Sequence, residues 1–329
     1  MSVLRRLVVA SLTFAVVAPA ICSALAPQTV FRLAHLSTAG RTADGGPPKA
    51  LREGLDALGY VEGRNILYEA RFAEGRVEQL PALAREVVGL RPDVIVAQGR
   101  PAVVAALQAT STIPIVIAPA SSDAVATGLI ASLARPGNNV TGLSDELDLL
   151  SAKRVELLRE AVPGMNRLAV VWNANDPGML RRYRAIESAA QALHVEVDSH
   201  ALRSVEDFET AFSAMSAHRP DALFLVTDAL TTMNENRVVE FSAKHRIPAM
   251  YESNAVVRQG GLMSYGPKGE DMFRRAAAYV DRILKGAKPA ELPAEQPMTY
   301  SLSVNLRTAA ALGLTMPQLV LVRADEILR

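Results

Sequence analysis

Short apolar runs recur along the chain, each followed by a polar loop and then by a stretch whose apolar residues fall three and four apart. The runs at 30–36, 94–96, 167–172 and 223–225 suit strands buried on both faces of a parallel sheet. Residues 65–72 alternate and read as a further strand. Residues 194–197 begin an edge-like strand, 260–265 a return strand and 299–304 a final one. Between them the helical period predicts helices over 77–90, 149–162, 179–193, 270–284 and 306–312. Pro47-Pro48 opens another helix, with Leu51, Leu55 and Leu58 on one face and Gly59 as its stop. Ser122-Asp123 reads as the N-cap of an apolar helix over 124–133. Ser204 to Asp207 resembles a capping box ahead of a helix over 208–218. Residues 136–139 are a turn and 289–297 a proline-spaced linker. Strands alternating with helices throughout predict α/β architecture, with parallel sheets covered by helices on both faces.

One unit of this pattern occurs twice. Arg91-Pro92-Asp93 enters a short apolar strand, a loop and a helix, and Ile113-Pro114 leads into the next apolar run. Arg219-Pro220-Asp221 and Ile247-Pro248 repeat that entry and exit. A single strand-helix-strand unit is common grammar. A pair with the same entry and exit predicts two similar, doubly wound lobes, and 329 residues suffice for them.

Composition narrows the function. Half the residues are hydrophobic, 21% are charged and the formal net charge is +1. No broad basic field invites nucleic acid. The N-terminus carries Arg5-Arg6, an apolar stretch over 7–18 and the small-x-small site Ala24-Leu25-Ala26, which together predict an export signal over residues 1–26. Cleavage after Ala24 or Ala26, or retention as a membrane anchor, are the alternatives. Removing this segment takes away two arginines and no acid, which leaves a net charge of −1, and it removes Cys22, the single cysteine. The exported chain therefore has no disulfide, thiolate metal site or cysteine nucleophile.

The sequence carries no recognisable catalytic pattern. No glycine-rich dinucleotide or phosphate loop follows a strand, no nucleophile elbow occurs, and the five histidines lack ligand spacing. His218 and His245 fall at helix C-termini, where a cation is favoured. No catalytic residue, metal or cofactor is expected. Binding fits better. In open α/β sheets, ligands lie beyond the carboxyl ends of the strands. Two facing lobes would line one cleft with Ser37, Thr38, Gly99, Arg100, Pro101, Ser121, Ser122 and Asp123 from the first lobe. Asn173, Asn175, Asp228, Tyr251 and Glu252 would come from the second. Hydroxyls and helix starts suit a carboxylate, and Asp228 and Glu252 suit an ammonium. Each residue also has a plainer reading. Ser122, Asp123 and Asp228 serve as helix caps, Asn173 and Asn175 as turn formers, Arg100 as a surface charge and Tyr251 as core. Trp172, the only tryptophan, is expected at a strand end beside the cleft.

Several stretches resemble the ABC-transporter substrate-binding proteins that include tryptophan- and tyrosine-type binding proteins. They are Leu58-Gly59-Tyr60-Val61-Glu62-Gly63-Arg64-Asn65, the run from Gly128 through Arg135-Pro136-Gly137-Asn138-Asn139-Val140-Thr141-Gly142, and Gly260-Gly261-Leu262-Met263-Ser264-Tyr265-Gly266. Arg282-Ile283-Leu284-Lys285-Gly286 and Ala310-Ala311-Leu312-Gly313-Leu314 extend the likeness to nearly the whole exported chain. The resemblance implies a type I periplasmic-binding fold whose lobes are joined by a three-strand hinge, with crossings near 140–143, 262–265 and 289–297. Residues 27–142 with 263–290 would form the first lobe, and 143–262 with 291–329 the second. It implies a periplasmic or membrane-anchored monomer that captures a small ligand, such as an amino acid or related carboxylate, and hands it to an ABC permease in the cytoplasmic membrane. A sensory binding protein, or an α/β enzyme using Asp228 or Glu252, are the alternative readings. Arg100, where such sequences usually carry a small residue, and Ser121-Ser122-Asp123 depart from the family pattern inside the expected pocket.

Overall fold

The computed structural model describes residues 29–118, 123–144 and 147–329. The expected export signal, Ser121 and Ser122 lie outside them. Two α/β lobes are present. In the first, β1 (Phe31–Ser37), β2 (Ile66–Phe72), β3 (Val94–Gln98), β4 (Ile115–Ile117) and β5 (Val140–Gly142) form a wholly parallel sheet in the order β2-β1-β3-β4-β5. Helices α1 (Lys49–Ala57), α2 (Leu80–Gly89) and α3 (Arg100–Ala109) cover it. Of the predicted α1 face, Leu51 and Leu55 are fully buried, whereas Leu58 follows the helix end and stays exposed.

The second lobe starts with α4 (Leu147–Ala161). It continues through β6 (Arg167–Asn173), α5 (Pro177–Ala192), β7 (Glu196–Leu202), α6 (Asp207–Ala217) and β8 (Ala222–Leu225). Where one helix was expected after β8 there are two, α7 (Ala229–Met233) and α8 (Glu235–His245). Then follow β9 (Ala249–Tyr251), α9 (Asn254–Arg258) and β10 (Met263–Pro267). The chain returns to the first lobe as α10 (Gly269–Leu284). It ends on the second with β11 (Tyr300–Asn305), α11 (Leu306–Leu312), α12 (Gln318–Arg323) and β12 (Glu326–Leu328). The second sheet runs β7-β6-β8-β9-β10-β11-β12, with only the β10–β11 pair antiparallel. Its first five strands repeat the order of the first sheet, and β7 takes the predicted edge.

The duplicated motif has a concrete role. In the first lobe the Asp93 carboxylate accepts a hydrogen bond from the Arg32 backbone N–H (2.7 Å), and the Pro114 carbonyl accepts from Ile95 N–H (2.8 Å). In the second, Asp221 accepts from the backbone N–H groups of Asn166 and Arg167 (2.8 and 2.9 Å), and the Pro248 carbonyl accepts from Leu223 N–H (2.9 Å). Each aspartate pins the start of the neighbouring central strand and so fixes its register.

Two further expectations change. The apolar stretch 124–133 forms no helix. Leu129 and Ile130 both return their N–H to the Ala124 carbonyl, and Ala131 donates to Pro136. The backbone therefore closes on itself and no i to i−4 ladder propagates. The second crossing lies later than expected, because Met263–Pro267 is a full member of the second sheet, between β9 and β11. The crossing falls at Lys268, after which α10 packs its apolar face (Met272, Ala276, Tyr279, Val280) with Leu51 and Leu55 of α1. The first and third crossings run side by side. Leu143 bridges Glu295, the Ser144 N–H donates to the Glu295 carbonyl, and the Glu295 N–H donates to the Gly142 carbonyl (both 2.9 Å).

Candidate functional site

A cavity of about 210 Å³ lies between the lobes at the carboxyl ends of both sheets. The first lobe lines it with Thr38 and Ala39 beyond β1, Val77, Gln98 at the end of β3, and Gly99, Arg100 and Pro101 at the start of α3. The second supplies Asn173 at the end of β6, Asn175, Asp176 and Met179 around the start of α5, and Asp228, Ala229 and Thr232 around α7.

The two walls differ in chemistry. On the first lobe, Gly99 adopts φ +83°, and a Cβ there would stand 2.3 Å from Thr38 Oγ1, so only glycine lets the turn into α3 meet the β1 loop. Gln98 spends its amide oxygen on the Ser37 hydroxyl (3.2 Å), so its N–H groups remain as donors. Arg100 Nε is buried and has no hydrogen-bond partner. The second wall presents acceptors. Asp176 caps α5 by accepting from Gly178 N–H (2.7 Å). Asp228 caps α7 in a capping box with Thr231 and also accepts from Asn173 Nδ2. Burial pushes the Asp228 carboxyl above the usual range, against the hydrogen bonds from Thr231 and Asn173 that oppose the rise. Asn173 Oδ1 in turn accepts from Asn175 N–H, and Asn175 Nδ2 donates to the Arg203 carbonyl. Across the cleft, Arg100 stands 3.7 Å from Asp176.

Seven sequence-predicted residues therefore meet in the cavity lining: Thr38, Gly99, Arg100, Pro101, Asn173, Asn175 and Asp228. Ser37 lies behind them, fully buried between Gln98 and the Ala39 N–H. Asp123 is spent on its own turn, accepting from Val125 and Ala126 N–H. Tyr251 is a core residue of the second lobe. Glu252, the expected ammonium acceptor, is buried between two arginines. Arg154 of α4 donates to it at 3.0 Å, Arg182 of α5 forms a second ion pair, and Thr227 N–H donates at 3.2 Å. Burial alone would raise the Glu252 pKa, but the two guanidiniums outweigh it and hold the carboxyl below its usual range. Arg182 also donates to the Thr227 carbonyl (2.7 Å), so the triad anchors the loop that delivers Asp228. Trp172 is not part of the cavity lining; it stacks on Tyr183 at 4.8 Å, with Nε1 donating to Ser199. Sequence reasoning omitted Ala39, Val77, Gln98, Met179, Ala229 and Thr232 from the lining, and it placed Asp176 in the cleft loop after β6 without giving it a role. Gln98 adjoins a predicted position, whereas Val77, Met179 and Thr232 carried no chemical signature. Among the described residues no group of three or more His, Cys, Asp or Glu could hold a metal ion.

This architecture, with lobes of matching strand order around a polar cleft, is that of a type I periplasmic-binding fold. The family model for ABC transporter substrate binding proteins matches residues 47–328. The chain belongs to that family, and it is accordingly a solute-binding protein of an ABC uptake system with a small ligand. A tyrosine-binding protein of Clostridioides difficile is 25% identical over 281 residues, 84% of this chain and 80% of that protein. The crystal structure of a conserved domain protein from Vibrio cholerae is 28% identical, with a TM-score of 0.82 over 91% of this chain and all of that one. An ABC domain in complex with L-Trp from Streptococcus pneumonia is 23% identical, with a TM-score of 0.83 over the same shares of the two chains.

Proposed function

We propose that the chain is an exported receptor that captures a small zwitterion, an amino acid or a close carboxylate analogue, in the inter-lobe cleft and delivers it to a membrane permease. The observation that carries this reading is the opposition of Arg100 on one wall to Asp176 and Asp228 on the other. A carboxylate satisfies the donor wall of Arg100 and Gln98, and an ammonium satisfies the acceptor wall. Formal charges also balance. Arg100 of the lining, with Arg154 and Arg182 of the buried triad, offsets Asp176 and Asp228 of the lining and Glu252 of the triad, so a ligand of zero net charge adds no uncompensated ion to this set. The names of the tyrosine-binding relative and of the L-Trp complex agree with an amino acid. Binding, closure and release need no bond-making group.

The test is a titration of the exported protein with a panel of amino acids and carboxylates, read by Trp172 fluorescence and melting temperature together. Trp172 directly precedes the cavity residue Asn173. One compound should give a saturable change and a raised melting point. Arg100→Met should weaken its binding about 10- to 100-fold, the range for losing one hydrogen bond to a charged group. A panel without any response, or a response indifferent to Arg100→Met, refutes the zwitterion reading. Recovery of the ligand unchanged separates capture from the enzyme alternative. An uptake defect on deletion, against a signalling defect with normal uptake, separates transport from sensing. Cell fractionation distinguishes a free periplasmic protein from an anchored one.

A further inference from the structure

Beyond the cavity, one side chain at the rim reaches from the second lobe to the first. Met233 is the last residue of α7, the helix whose first turn carries Asp228 and Ala229 into the cavity. Its thioether reaches across to the first lobe and lies over two glycines. A Cβ built on Gly75 would stand 3.1 Å from Met233 Cγ, and one built on Gly40 would stand 3.4 Å from the sulfur. Those glycines belong to loops that are stitched together. Ala73 and Gly75 donate their N–H to the carbonyls of Ser37 and Thr38 (2.8 and 2.9 Å). The same loops bring Thr38 and Ala39 to the cavity.

We propose that Met233 is a positioning residue for ligand capture, a rim latch that sets how strongly the lobes stay closed. The inference rests on reading the cleft as a capture site. Helix α7 is fixed to its own lobe, because Asp228 is bonded to both Thr231 and Asn173 and the Thr231 hydroxyl donates to the Val226 carbonyl (2.7 Å). Any movement that separates Asp228 from the first lobe therefore also lifts Met233 off its glycines. A flexible thioether over bare Cα positions makes close apolar contact without a demanding shape match, so the latch can form and break repeatedly. Ligand contact at the start of α7 and lobe contact at its end are two consequences of one rigid motion. Met233 then governs the closed population and the release rate, while Arg100, Asp176 and Asp228 govern which ligand is taken.

The experiment measures the lobe separation of the protein itself, with no ligand needed, so its failure is distinguishable from failure of the amino-acid reading. Arg85→Cys on the first lobe and Glu240→Cys on the second are exposed labelling positions, and the sequence after Ala26 contains no other cysteine. Spin labels there report the inter-lobe distance by pulsed electron resonance. Met233→Ala should lower the closed-to-open ratio roughly fivefold, the scale of losing part of one methionine's apolar burial. Gly40→Leu should wedge the rim open. Gly40 has no left-handed backbone requirement, and the atoms found within 4 Å of its Cβ position are those of Met233. Combining Gly40→Leu with Met233→Ala should restore the closed distance, which a merely destabilising substitution would not do. Unchanged distances in both single variants, or a Gly40→Leu protein that stays open after Met233→Ala, overturn the proposal.

Discussion

His35 should make the first lobe sensitive to acid. It sits in the middle of β1, opposite Ala70 of β2 and Val96 of β3, with no solvent exposure. Its ring lies 5.7 Å from Phe72 and 6.4 Å from Phe273 of α10, and neither ring nitrogen makes a well-aligned hydrogen bond. Burial lowers its pKa from 6.5 to about 4, with the Val96 backbone and the Gln98 amide offsetting only part of that drop. The unfolded chain protonates near pH 6.5 while the folded protein holds the ring neutral to about pH 4. Stability is therefore complete above pH 6.5 and is lost as pH falls toward 4. At pH 5 the unfolded state gains RT ln(1 + 10^1.5), about 2 kcal/mol, from this one group. His35→Leu keeps the volume and removes the proton. Urea unfolding followed by circular dichroism at pH 7.5 and pH 5.0 gives a loss for each protein. The variant's loss should be smaller than the wild type's by about 2 kcal/mol, whatever the offset between the two proteins at pH 7.5. Equal losses would refute the buried, neutral imidazole.

Further outcomes follow from other buried groups. Glu252→Gln leaves two buried arginines without their carboxylate and should cost about 3–5 kcal/mol in urea unfolding; a change below about 1 kcal/mol would mean that solvent reaches the triad. Glu235, at the start of α8, has its pKa raised to about 7 by burial. It ionises near 4.5 when unfolded, so its contribution falls as pH rises from 4.5 to 7. Glu235→Gln should gain about 1 kcal/mol at pH 8 relative to pH 5, after allowance for its partial exposure. Gly99→Ala forces a methyl onto Thr38 Oγ1 at a positive φ and should cost about 1–3 kcal/mol, with ligand affinity falling alongside. Affinity unchanged by Gly99→Ala would place the ligand away from the α3 turn.

The duplicated unit made the architecture legible, because strand, helix and turn residues all agree with the same parallel order. Besides the split of α7 from α8 and the later second crossing, two features escaped it. Residues 124–133 have helical periodicity, yet turn hydrogen bonds from Leu129, Ile130 and Ala131 win locally. The terminal α12 and β12 are short and gave no periodic signal. In the site, strand ends predicted where the walls would be, so Thr38, Arg100, Asn173 and Asp228 were found from topology. Charge alone misled at Glu252, since nothing in the sequence announces that Arg154 and Arg182, 98 and 70 residues before it, converge on it. Asp176 was placed in the cleft loop from topology, but its role depends on Arg100 of the facing lobe.

The pairing of α10 with α1 has a consequence for how the protein is made. The apolar surface formed by Leu33, Leu51, Leu55, Val94 and Val116 is covered by Met272, Ala276, Tyr279 and Val280. Those covering residues leave the ribosome, and cross the membrane in an exported chain, only after the strands and helices of the other lobe from α4 to β10. The first lobe thus has to wait, greasy face bare, for a helix encoded well after its last strand. Such late closure slows folding and prolongs exposure to aggregation. A chain halted before Gly269 should be recognised by holdase chaperones and proteases as unfinished, even though every strand of its first sheet has already emerged.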